Sequence, residues 1–370
     1  MVELLGAAKI GNFQQVKRLV DHGADVNCEN YISDRPIYSA VSSGSLEIVK
    51  YLVEHDADVN CENYRVGSPL HCATSSGSLE IIKYLVENGA DVNREFFFVG
   101  SPLHSAASSG SLKIVKCLVE HGADVNRKNF HTGSPLHSAA SSGSLKIVKY
   151  LVEHGADVNR KNFHTGSPLH SAVSSRSLKI VKYLVEHGAD VNWKCWRVAS
   201  PLCSAVSPGS LDIVKYLVEH DVYFNWEESN VGSLFHSAAS SGSIEIVKYL
   251  VEHGADVTNE EDHRIGTILF LACEDGNPAT VDYLLQHGAI KDMDKHWKLK
   301  SPLRIACLKG HTAVVQTLLK YNVDIRKEKE ALICGNKEIL YILNLELKKS
   351  SKHRQKIQIL KAMDDENLAK

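Results

Sequence analysis

The sequence predicts a mainly α-helical solenoid of about ten stacked helix-turn-helix units. Three observations carry this expectation. Residues 100–132 and 133–165 are one 33-residue text written twice, differing only at Cys117 and Tyr150. Prolines recur at Pro36, Pro69, Pro102, Pro135, Pro168 and Pro201, each 33 residues after the last. Between prolines, two short apolar stripes flank a glycine, and neither stripe is long enough to bury its face alone.

The opening unit fills the first thirty or so residues and lacks the proline. The unit from Ser134 to Asn159 shows the grammar of those that follow. Ser134 stands where a hydroxyl can cap a helix, and Pro135 takes the first helical position, where its missing N–H costs nothing. Leu136, Ala139 and Ala140 form a short apolar face that ends near Gly143. Ser144 caps the second helix, in which Leu145, Ile147, Val148, Leu151 and Val152 form the stripe while Lys146, Lys149 and Glu153 face water. Gly155 supplies a left-handed helix end, and a polar connection leads to the next Gly-Ser-Pro.

Later units carry Leu234 and Ile268 at the proline position, and Pro302 restores it. The last two steps are 34 residues, which places single insertions near Asp262 and Lys295. The unit over Cys203–Asn225 is the weakest, because Pro208 sits near the end of its first helix and Asp221 replaces the capping glycine. A kink or softer stack is expected there. The expected division is a repeat array over 1–326, then degenerate capping helices and a basic tail over 327–370.

Composition narrows the function classes. A net charge of −2 gives no global attraction to nucleic acid or anionic lipid. The nine cysteines are odd in number and scattered without a CxxC pair, as in a reducing compartment. No run approaches the ~18 apolar residues of a membrane span, and the first residues lack a basic, apolar leader pattern. The expected location is the cytoplasm or the nucleus.

Nineteen histidines invite a metal reading. One column is His71, His104, His137, His170 and His236; another is His22, His55, His121, His154, His187, His220, His253 and His287. Stacked units lie roughly 10 Å apart, whereas metal ligands converge within about 2 Å of one ion. One histidine per unit is therefore architectural, and the second column caps helix ends. No metal or other cofactor is expected. Phosphate-loop, zincin, nucleophile-elbow and kinase motifs are absent from the sequence. Cys117 replaces a column tyrosine and has no His or Asp partner of its own, so a non-enzyme is expected.

The residues of the repeat resemble the ankyrin family. Ser-Pro-Leu-His stands for that family's Thr-Pro-Leu-His, and Gly-Ala-Asp-Val-Asn for its closing signature, in register over roughly 1–326. The resemblance implies an ankyrin-repeat solenoid of L-shaped units, with β-hairpin-like fingers projecting from the helix pairs. It also implies that the Ser-Pro-Leu-His histidines bond backbone between units, and that partners lie on the concave face made by the finger tips and first helices. This chain departs from the pattern at the finger turn, where valine or threonine (Val66, Val99, Thr132, Thr165) replaces glycine and Gly67, Gly100, Gly133 and Gly166 follow one residue later.

Register then picks out the partner-reading residues. The concave floor reads as paired serines such as Ser108-Ser109 and Ser141-Ser142, small and weakly discriminating. Five residues before each proline runs an aromatic column of Tyr31, Tyr64, Phe97, Phe130, Phe163 and Trp196, which stops at Ser229. Two residues earlier the charge flips, from Glu29, Glu62 and Glu95 to Lys128, Lys161 and Lys194, then back to Glu227. Arg94, Arg127, Arg160 and Arg197 add positive charge, while Phe98, His131, His164 and Trp193 add ring area. Aromatic and arginine side chains dominate interface energetics. The expectation is a protein partner offering acidic and apolar residues to the middle units. Acidic flanks argue against nucleic acid, and nothing indicates a membrane. Two roles remain open. One is a scaffold or inhibitor that masks its partner; the other is a substrate-recognition adaptor of a ubiquitin ligase or a host-directed effector.

Overall fold

A computed structural model describes residues 2–30, 34–193, 199–206, 209–220, 237–238, 243–253, 268–289, 301–321, 323 and 336–348. The chain divides into two compact units, one of residues 1–204 with 216–222 and one of 205–215 with 223–370. The helices Pro201–Val206 and Leu211–Glu219 are each split by that division.

The first unit opens with helices Val2–Lys9 and Phe13–Asp21. Five proline-led helices follow at 33-residue spacing: Pro36–Ser42, Pro69–Ser76, Pro102–Ser108, Pro135–Ser141 and Pro168–Ser174. Each is partnered by a second helix: Leu46–Glu54, Leu79–Glu87, Leu112–Glu120, Leu145–Glu153 and Leu178–Glu186. First helices pack on first helices and second on second, which makes two helical layers. Leu136, Ala139, Ala140, Ile147, Val148 and Leu151 are fully buried between them, as the stripe predicts. Leu145 and Val152 are only half-buried, because they lie at the edge of the helix face that meets the neighbouring unit.

Proline and glycine sit where the backbone needs them. Pro135 starts its helix, but the cap at Ser134 is more elaborate than a lone hydroxyl. The backbone N–H and hydroxyl of Ser134 both approach His137 Nδ1, at 3.0 and 2.9 Å. Ser144 occupies its predicted position without a side-chain cap bond. Gly155 takes φ +83°, the left-handed helix end expected of it. Second helices also carry an external ladder: Lys149 Nζ lies 5.4 Å from the Tyr183 ring centre, and His187 packs on that ring at 3.9 Å.

Closing-signature asparagines tie successive units together. Asn126 Nδ2 donates to Gly155 O at 2.8 Å and its Oδ1 accepts from Asp157 N at 2.8 Å; Asn27, Asn60, Asn93 and Asn159 repeat the pair of bonds. These bridges cross from one unit to the next, so each backbone turn is fixed by its neighbour.

In the second compact unit, helices Ile244–Glu252, Ile268–Asp275, Pro278–Gln286, Pro302–Lys309 and Thr312–Lys320 follow the same alternation. Ile268–Asp275 packs on Pro302–Lys309, and Pro278–Gln286 on Thr312–Lys320. A further helical run covers 337–348, with Asn336 Oδ1 accepting from Glu338 N at its start. The insertions near Asp262 and Lys295, Pro208, Asp221 and the basic tail beyond residue 348 lie outside the described residues.

Candidate finger recognition surface

Each described finger is closed by one isolated antiparallel bridge rather than a strand ladder: Asn63 with Gly67, Phe96 with Gly100, Asn129 with Gly133, and Asn162 with Gly166. The glycine one residue late is what the turn requires. Gly133 has φ +82°, and a Cβ there would stand 2.7 Å from His137 Cγ. Both the backbone and the packing of the histidine therefore exclude a side chain.

The sequence reading overlooked the residues that hold the fingers rigid. Asn129 and Asn162 are buried within their own loops. Asn162 Oδ1 accepts from His164 N at 2.8 Å and Thr165 N at 3.0 Å. Its Nδ2 reaches the preceding finger, donating to Asn129 O at 3.1 Å and Phe130 O at 3.0 Å. Asn129 does the same toward Phe97 O at 3.0 Å. The available signal was an asparagine immediately before each twin-finger phenylalanine, Asn129 and Asn162, at the 33-residue period.

On this frame the aromatic column is presented to solvent. Tyr64, Phe97, Phe130 and Phe163 are 57%, 59%, 55% and 61% exposed, far more than apolar rings of this size usually are. Phe98 is also exposed. The rings touch from finger to finger. Phe98, His131 and His164 stack in series, with centres 5.4 and 5.9 Å apart, while Phe97 meets His131 edge-on at 4.7 Å and Phe130 meets His164 at 4.6 Å. Trp193 is placed differently from the expectation: it is half-buried, its ring 5.4 Å from His170, with Lys161 Nζ 5.9 Å above it.

The charges sort into paired and unpaired. Arg94 is ion-paired with Glu62 of the preceding finger, and Arg127 with Glu95 at 3.7 Å. The same register offers Arg160 not a glutamate but Lys128. Among the described residues Arg160 meets no carboxylate; it reaches Asn126 O at 3.5 Å, and its Nε, like that of Arg127, is buried without a hydrogen-bond partner. Lys128 and Lys161 are exposed. The aspartates nearest in sequence, Asp124 and Asp157, accept from Asn126 N and Asn159 N in their own turns. Lys194, Trp196 and Arg197, along with Tyr31 and Glu227, lie outside the described residues.

The histidine columns have distinct chemistry. Nε2 of His71, His104, His137 and His170 faces a backbone carbonyl of the next unit, at 2.9, 3.2, 3.2 and 2.9 Å. A carbonyl can only accept, so Nε2 carries the proton and Nδ1 accepts from the capping serine. Burial pushes His104, His137 and His170 down to about 4, and lowers His71 in the same direction. In the second column Nδ1 meets the carbonyl four residues back, as at His154 to Tyr150 O, 2.7 Å, which caps the helix end. Among the described residues, no group of three or more His, Cys, Asp or Glu is arranged to hold a metal ion. Cys117, expected to lack a histidine partner, has its Sγ 3.9 Å from His121 Nδ1, but that nitrogen meets Cys117 O at 2.7 Å as a helix cap, and burial pushes the thiol up, the reverse of an activated nucleophile.

Stacked helix pairs with rigid, solvent-facing loops define a repeat solenoid of the binding type. The chain belongs to the ankyrin-repeat family: the family model for ankyrin repeats (3 copies) matches residues 4–96, 99–162, 130–195, 194–261 and 236–329. Among solved structures it is similar to the human ASB11 ankyrin repeat domain, at 26% identity and a TM-score of 0.53, covering 59% of this chain and 97% of that one. Comparison with curated proteins gave no match. Ankyrin repeats are protein-binding modules, typically without catalytic activity. Among the described residues, no helix is long and apolar enough to cross a membrane.

Proposed function

We propose that this protein acts without catalysis, as a scaffold or inhibitor that binds a partner protein along the finger edge formed by residues 62–66, 95–99, 128–132 and 161–165. One observation carries the reading: four large aromatic rings, Tyr64, Phe97, Phe130 and Phe163, stand in line and more than half exposed. A contiguous exposed apolar patch marks a contact surface. The buried asparagines beneath Phe130 and Phe163 hold the loops in place before binding, which lowers the entropy lost on association. Arg94 and Arg127, in the residues that lead into the fingers, are ion-paired with Glu62 and Glu95.

The test is a Phe97/Phe130/Phe163→Ala variant whose circular dichroism matches the wild type. Loss of the proteins that co-purify with the wild type supports the reading, and an unchanged set of partners overturns it. Deleting residues 327–370 separates the finer roles. A masking scaffold keeps its partner and its effect, whereas an adaptor of a ubiquitin ligase or a host-directed effector keeps its client and loses a second protein.

A further inference from the structure

We propose that the twin fingers at 127–132 and 160–165 form a carboxylate-reading subsite for an extended acidic segment of the partner protein. The inference rests on the finger edge being the binding surface and adds the chemistry of what binds there.

A pattern of ion pairing breaks at the twin fingers. In two successive steps an arginine is neutralised by the glutamate of the preceding finger, Arg94 by Glu62 and Arg127 by Glu95. At the third step that place is Lys128, and Arg160 is left without a carboxylate among the described residues. Glutamate-to-lysine at that position thus does two things. It adds a cation and it releases an arginine. Lys161 adds a third positive charge, held over the Trp193 ring at 5.9 Å. Three unmatched cations on adjoining fingers leave a local excess of positive charge in a chain of net charge −2.

Spacing says what shape of ligand fits. The stack of Phe98, His131 and His164 advances 5.4 and 5.9 Å from ring to ring. Alternate side chains of an extended peptide are about 6–7 Å apart on one face. A strand-like segment laid along this stack can therefore place an apolar side chain at each finger while acidic side chains meet the cations beside it. Single-stranded nucleic acid fits less well. Base stacking needs open ring faces, and both faces of His131 are covered, by Phe98 and His164. Phosphate tracking needs a continuous basic groove, and Glu62 and Glu95 interrupt this one.

Fluorescence anisotropy of the full chain tests this, with a labelled 20-residue peptide of repeated Glu-Phe-Glu-Leu, its Glu→Gln counterpart, and a 20-nucleotide oligothymidylate. The peptide should bind, with affinity that falls as salt rises, and about tenfold more weakly when Glu becomes Gln. Lys128→Glu restores the glutamate register, so it should fold as the wild type does while weakening the acidic peptide by about tenfold or more. Equal affinity for the Glu and Gln peptides, an unaffected Lys128→Glu, or tighter binding of the oligonucleotide would overturn the proposal. If Lys128→Glu has no effect while Phe97/Phe130/Phe163→Ala abolishes binding, only the carboxylate subsite fails. If neither variant changes binding, the finger edge itself fails.

Discussion

Mild acid should loosen this stack, and the buried histidine column is the reason. His104, His137 and His170 are each neutral in the folded protein, with burial pushing them down to about 4. In the unfolded chain a histidine titrates near 6.5. The folded value is the depressed one, so the unfolded state binds protons first as pH falls. The stability is fully present above about pH 6.5, and it is lost progressively between about pH 6.5 and about pH 4. Each histidine then contributes a slope of about 1.4 kcal/mol per pH unit in that window, or about 2 kcal/mol between pH 7 and pH 5. For the three together the loss is about 6 kcal/mol, comparable to the whole stability of many domains; His71 shifts in the same direction and adds to it.

Urea titrations at a series of pH values read this directly. The comparison is with His137→Gln, which cannot titrate. That variant starts less stable, because the bonds to Ser134 and Gly166 are altered, but its pH slope should be shallower than that of the wild type by about 1.4 kcal/mol per unit. Carboxylates common to both proteins cancel in the difference. A stability curve flat from about pH 7 to pH 5, or a variant curve parallel to the wild type, would refute the reasoning.

Three further outcomes are expected. Gly133→Ala should cost about 2–3 kcal/mol by thermal melting, because φ is +82° and the new Cβ would meet the His137 ring, whereas Gly143→Ala, at φ +72° with open space, should cost only about 1 kcal/mol. Asn162→Ala should expose the amides of His164 and Thr165 to rapid hydrogen exchange while the helices stay protected; unchanged exchange there would show that the asparagine does not hold the finger. Cys117→Tyr should be tolerated, with a melting temperature equal to or slightly above the wild type, because it would set a ring beneath Lys83 as Tyr84 lies beneath Lys50 and Tyr150 beneath Lys116; a clear drop would show that the pocket around Cys117 cannot open.

Much of this architecture was legible in residue order. Pro135 and Gly155 mark helix ends by chemistry local to each, and Ile147, Val148 and Leu151 mark the buried face by spacing alone. The exposed aromatic column was legible for the same reason: Phe97, Phe130 and Phe163 share a register position, and register survives stacking. What could not be read were contacts between one finger and the next. Arg127 meets Glu95, 32 residues back, and Asn162 meets Phe130, also 32 back. Those pairs depend on how far one unit shifts and turns on the next, which local periodicity does not encode. The same dependence hid the half-burial of Trp193 against His170 and the isolation of Arg160. Among the described residues, the apparently uniform basic block is two ion-paired arginines followed by Lys128, Arg160 and Lys161, which meet no carboxylate.

The proposed function seats a partner on the exposed finger rings. Site-specific photo-cross-linking measures that contact directly, with a benzophenone amino acid in place of Phe130 and, in a second protein, in place of the exposed second-helix residue Glu153. The account predicts a covalent adduct to the partner protein from position 130 and none from position 153. An adduct from position 153 with none from position 130 would contradict it.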